Sequence, residues 1–173
     1  MAVTANVSMG VSGSQTGTAI VGGTPTYPFA SSFSAAYQSG TGAGQVDRVY
    51  TATGTLAGSA TTNIDLAGSI TDALGNTSIS FARIKSVQVI AAAANASGNN
   101  LQVTRPASNG VALFIAAGDG IELRPGAAFS WATGMADATG VAVTGGTGDL
   151  ITLTNSAGTN TISYTVVITG CSA

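Results

Sequence analysis

Short runs of Val, Ile, Leu, Tyr and Phe recur along residues 47–173, and each is cut off after a few positions by Gly, Asn, Asp or Pro. Such a chain never sustains the three-and-four apolar spacing of a helix, so it is confined to short strands joined by turns. Residues 49–53 are rich in β-formers and residues 63–66 alternate. Asp72 to Thr77 reads as a loop, because Asp, Gly and Asn favour turn geometry. Phe81, Ala82, Arg83, Ile84 and Lys85 could form one helical turn. Strands are expected at 87–90 and 101–104, on either side of the turn Ser97-Gly98-Asn99-Asn100, with Pro106 barring a central ladder position beyond. The apolar run 111–115 and the strand Ile121-Glu122-Leu123 flank Gly118-Asp119-Gly120, a tight-turn signal. Phe129-Ser130-Trp131 and Val141-Ala142-Val143 are two more strands. Residues 149–154 are expected to pair with 162–168 across the turn 155–160.

The pattern predicts an all-β fold: an antiparallel β-sandwich over residues 47–173, closed as a Greek key or, by preference, a single jelly roll. Alternation places Val87, Val89, Leu101, Val103, Ile121, Leu123, Leu153, Ile162, Tyr164, Val166 and Ile168 in the core, with either Leu150 or Ile151. The opposite faces are mostly Thr and Ser.

Residues 1–46 contain no charge and are dominated by Ser, Thr, Gly and Ala. Linkers share that composition, but disorder normally accompanies high net charge. The segment therefore reads as an extended arm with one or two short strands, one near Val3, Ala5 and Val7 and another near Ala19, Ile20 and Val21. It is expected to be ordered by contact with its own domain or a neighbour, and Tyr27, Phe29, Phe33 and Tyr37 give it something to bury.

Chemistry is restricted by what is missing. The chain has five basic and seven acidic residues and no histidine. Charged residues are 7% of the total, against roughly 25% in an ordinary soluble domain. A compact fold of this mass should expose about 7,600 Å², so charges are sparse. Without histidine there is no Ser-His-Asp or Cys-His arrangement, and Lys85 alone could serve a Ser-Lys pair; a solvated or paired lysine fits it better. Cys-His zinc clusters are absent, the seven carboxylates form no calcium loop, and nothing marks a glycosidase pair among them. No cofactor and no enzymatic activity are expected. Five cations cannot neutralise many phosphates, so nucleic acid is not an expected ligand. No apolar stretch is long enough for a membrane helix, and no secretory signal is visible at Met1, so synthesis in the cytoplasm is expected. Cys171 reads as an incidental thiol, with an intermolecular bridge as the lesser reading. Arg124 stands out among so few charges and could pair with a carboxylate of a partner, or simply end its strand in water.

From Asp65 to Gly170 the chain resembles small virion proteins of tailed bacteriophages. The similarity lies in the loop 71–77, the Phe81-to-Lys85 strand entry, the Arg124-Pro125-Gly126 turn, the segment 148–158 read as a hairpin, and the Tyr164-to-Gly170 strand. The resemblance implies a jelly-roll decoration (cement) protein or related minor head protein, located on the virion surface, often a homotrimer, with the major capsid protein as partner and no catalytic residues. Arg124, Tyr27, Phe29 and Phe33 are the expected partner contacts. Removing 1–46 is expected to weaken particle binding more than the fold. Two other functions compete: a tail, fibre or vertex-spike component, and a carbohydrate-binding sandwich using Trp131 and Tyr164 as an exposed aromatic platform.

Overall fold

The computed structural model describes residues 2–19, 21–68 and 70–173; Met1 and Ile20, on which two expectations fell, lie outside them. Twelve strands account for the secondary structure, and no helix occurs among the described residues. They are β1 (Ala5–Thr16), β2 (Thr26–Ser39), β3 (Gln45–Val46), β4 (Arg48–Leu56), β5 (Thr61–Asp65), β6 (Arg83–Ala91), β7 (Leu101–Thr104), β8 (Gly120–Leu123), β9 (Ala128–Ala132), β10 (Val141–Ala142), β11 (Leu150–Asn155) and β12 (Ile162–Cys171).

Two antiparallel sheets form the body. In the first, β12 lies between β4 and β6, and the other edge of β6 is shared end to end by β10, opposite Arg83 and Ile84, and β9, opposite Ser86 to Ile90. The second runs β5-β11-β7-β8. One core joins them: Val87, Val89, Val166 and Ile168 from the first meet Ile64, Leu101, Val103, Leu123, Ile151 and Leu153 from the second. The body is a β-sandwich. Alternation explains it, because inward Val, Ile and Leu face the partner sheet while outward Thr and Ser face water.

Local signals located the strands better than they located their partners. Residues 149–154 and 162–168 do not form the expected hairpin: β11 pairs with β5 and β7, and β12 pairs with β4 and β6 in the other sheet. The connection is an arch between sheets, fixed by Asn155, whose side-chain amide donates to the carbonyls of Leu56 (3.1 Å), Ala57 (3.0 Å) and Asn160 (2.7 Å). Residues 81–85 form no helical turn, because from Arg83 onward they belong to β6 and are held by β10 and β12. The run 111–115 is not a strand; β8 pairs instead with β7 across residues 105–119. Within that long loop Val111 is buried, Phe114 packs on Phe129 with ring centroids 5.6 Å apart, and Ile115 is exposed. Ile121 faces inward opposite Val103 but is 40% exposed, since β8 is an edge strand. Tyr164 is half-buried against the core.

The N-terminal segment carries longer strands than the one or two short ones expected of the arm. Strands β1 and β2 form a continuous antiparallel hairpin from Ala5 opposite Tyr37 to Thr16 opposite Thr26. Its base is rooted: Val3, Ala35, Tyr37 and Val46 make a second apolar cluster, joined by Ala5, Val7, Phe33 and Val49. The packed region therefore begins well before residue 46. The described residues 10–19 and 21–32 are all exposed. Accessible surface totals 8835 Å², about 1,200 Å² more than the compact expectation. The projecting hairpin accounts for the direction of that excess.

Candidate functional site

Among the described residues, each charged side chain except Arg124 hydrogen-bonds within the chain. Asp65, Asp72, Asp119, Asp137 and Asp149 accept from backbone N–H groups a few residues away and so hold their own loops. Asp47 accepts from Ser172 and pairs with Arg48 at 3.3 Å. Glu122 accepts from Asn100 and Gln102 of the neighbouring strand. Arg83 donates to the Thr41 carbonyl, and Arg105 donates to those of Phe114 and Ile115. The contacts of Asp65, Asp72, Asp119, Asp137 and Asp149 are short-range turn contacts, which suit Asp chemistry, whereas those of Asp47, Arg83 and Glu122 tie together segments distant in sequence.

Lys85 is fully buried, and its ammonium is held by a backbone carbonyl. It is the extra residue where the β6–β12 register slips, between Ser86 opposite Thr169 and Ile84 opposite Gly170. Its ammonium donates to the Asp137 carbonyl, clamping the loop that joins β9 and β10. Its own carbonyl accepts from Thr133 N–H at 2.9 Å and from the Tyr37 hydroxyl at 3.3 Å. The Tyr37 hydroxyl lies 2.6 Å from the Thr133 carbonyl oxygen, to which it also donates. The hairpin root, β6 and the 133–140 loop are thus one locked unit.

The titrating groups report the same structural use. Asp137 is held below its ordinary carboxyl value by the Gly140 N–H and then by the hydroxyl and N–H of Thr139, with the Lys85 charge adding to it. Asn76 donations, first from the side chain, lower Asp72; the amides of Gln102 and then Asn100 lower Glu122. Burial pushes Tyr37, Tyr50 and Tyr164 up. Among the described residues no three of His, Cys, Asp or Glu come together as a metal cluster.

The expected contact residues fall in two places. Tyr27, Phe29 and Phe33 share one face of the hairpin, and Tyr27 and Phe29 are 71% and 47% exposed. Arg124 is exposed after β8 and lines an open groove of about 460 Å³ with Asn95, Ser97, Asn100 and Pro125. The hairpin is rooted at the start of β6 through Lys85, whereas Arg124 adjoins the loop beyond its end, so the root and Arg124 sit at opposite ends of that strand. Trp131 and Tyr164 are not brought together: Trp131 stands opposite Val87 and Tyr164 opposite Ala91, on different sides of β6. Both are half-buried. Cys171 is buried, its thiol 3.4 Å from the Gln45 carbonyl, where it cannot bridge to another chain without local opening.

Sequence reasoning missed the sidedness of the arm. Along the hairpin the pairs Ala5–Tyr37, Val7–Ala35, Met9–Phe33, Val11–Ser31, Gly13–Phe29 and Gln15–Tyr27 occupy one face. The other carries Asn6, Ser8, Ser12, Ser14 and Thr16 opposite Ala36, Ser34, Ala30, Pro28 and Thr26. The alternation of Val7, Met9 and Val11 with Ser8 and Gly10 is the signal that could have shown it. Gly13 belongs to the design, since a Cβ there would fall 2.7 Å from the Phe29 ring that lies across it.

No family model matches the chain, and the comparison with curated proteins returns no match.

Proposed function

We propose that the chain is a structural subunit of a tailed-bacteriophage virion. It binds the outside of the capsid shell as a cement protein, with the major capsid protein and further copies of itself, as a trimer, as partners. The observation that carries this reading is the use of charge. Nearly all of it is tied into the chain's own loops, leaving Thr-, Ser- and Ala-rich faces that can be buried against protein at little electrostatic cost. The strand order supports it too. We infer a jelly roll from β4-β12-β6-β9 packed on β5-β11-β7-β8, with β4 to β5, β6 to β7, β8 to β9 and β11 to β12 each passing between sheets.

The mechanism is mass action. A subunit that binds the assembled lattice and not the dissociated one stabilises it by about 2.7 kcal/mol per site at a hundredfold excess over Kd. The test is to mix purified protein with undecorated shells and image the particles. Hundreds of copies spread over the outer shell support cement function. A few copies confined to the tail or one vertex would assign the chain to that other part, and no binding at all would refute the virion reading.

A further inference from the structure

We propose that the apolar row of the hairpin, exposed at Val11, Tyr27 and Phe29 and half-buried at Met9 and Phe33, is covered by a second copy of this chain. The covering surface is the uncharged outer face of that copy's first sheet. This deepens the assembly reading above by naming the partner of one surface, but it concerns free protein and needs no shell.

Three observations point to a second copy. The first is continuity. The same row, one step nearer the root, already lies against this kind of surface: Ala5 to Ser8 form one wall of a groove of about 330 Å³ whose other wall includes Ser86, Gln88, Ser130, Val167 and Thr169. Past the half-buried Met9 and Phe33 the row continues with Val11, Phe29 and Tyr27, where its own domain no longer lies beneath it, and Val11 is 68% exposed.

The second is charge. Residues 1–46 hold none, so a charged partner surface would lose its hydration without gaining a counter-charge. The outer face of the first sheet supplies the matching chemistry in Thr51, Thr53, Thr165, Val167, Gln88 and Ile90, with no ionisable group among them. The hairpin's free edge agrees. Strand β1 pairs only with β2, and its outer edge carries neither charge nor proline, the usual devices against pairing with another chain.

The third is area. From Met9 to Thr16 the hairpin is about 27 Å long and two strands, about 10 Å, wide. That is a footprint of about 270 Å². A single arm contact buries two such footprints, about 540 Å², whereas two copies that exchange arms across one interface bury four, roughly 1,100 Å², which just clears the area of about 1,000 Å² expected of a specific interface.

The test is the mass of the purified full-length protein in solution by sedimentation or light scattering. Wild type should run at two or more times the single-chain mass of 16.8 kDa. Phe29→Asp and Val11→Asp should each weaken association by roughly a hundredfold or more, with unchanged far-UV circular dichroism. Ser12→Asp, on the opposite face of the hairpin, should leave it within about threefold. Thr53→Asp, on the receiving sheet, should weaken it as the arm variants do. A monomeric wild type that still coats shells would place the row on the shell and overturn this proposal while sparing the cement reading. Phe29→Asp or Thr53→Asp retaining wild-type association would also overturn it. An oligomer with these sensitivities that ignores shells would uphold it and remove the cement reading.

Discussion

The sandwich and the hairpin use the same residue types toward opposite ends. In the sandwich, alternation sends Val87, Val89, Leu153, Val166 and Ile168 into a core closed by a second sheet of the same chain. In the hairpin, alternation builds an equally sided ribbon, but beyond Met9 and Phe33 nothing among the described residues closes over it. A two-stranded ribbon is at best marginally stable alone, so its apolar row is a surface awaiting protein. Sidedness in a strand therefore identifies a surface to be buried without saying by which molecule.

Mutations should separate the two regions. The largest effect belongs to the sandwich: Leu153→Ala, at a fully buried position, should cost roughly 2–5 kcal/mol in urea unfolding. Phe29→Ala in the arm should change monomer stability by no more than about 0.5 kcal/mol. Equal losses would mean that the hairpin belongs to the core. Next comes the arch: Asn155→Ala removes the amide that joins the carbonyls of Leu56, Ala57 and Asn160 and should cost roughly 1–3 kcal/mol. An unchanged midpoint would show that the arch holds without it. The junction is subtler. Tyr37→Phe removes the hydroxyl from the Thr133 and Lys85 carbonyls and should cost about 1–2 kcal/mol. It should also raise hydrogen exchange in β1 and β2 more than in β11.

The smallest effect is that of pH. With no histidine, stability should be flat from about pH 5 to 9. Asp72 and Asp137 sit below their ordinary value of 3.8, and Glu122 below 4.5. Their contribution is complete above those values and is lost as pH falls through the lower folded-state values, because the unfolded chain then binds protons first. Tyr37, Tyr50 and Tyr164 sit above 10.0, so their contribution is complete below pH 10.0 and is lost as pH rises toward the folded-state values. A urea midpoint that moves between pH 5 and 9 would contradict this assignment of charges.

Much of the sandwich was legible because inward and outward positions differ in kind, as at Val87, Gln88 and Val89. Pairing was less legible. The turn residues after Thr154 show that the chain reverses, but the choice between hairpin and arch is made by Asn155 reaching carbonyls at residues 56 and 57. Alternation likewise gave Ile121 its face without showing that β8 is an edge. Lys85 read as a solvated or paired side chain, and its burial comes from a register slip that only the folded ladder reveals. At the candidate surface, Tyr27, Phe29 and Phe33 were visible as aromatics in an uncharged segment. Their alignment with Met9 and Val11 required the hairpin register.

Hydroxyl-radical footprinting of Met9, Tyr27, Phe29 and Phe33, in dilute protein and again in the assembled state, bears most directly on whether this chain is made to lie against protein. We expect strong labelling of Tyr27 and Phe29 when dilute and clear protection of the whole row on assembly. Equal labelling in both states would mean that the row faces water throughout, and that the uncharged arm is not an assembly surface.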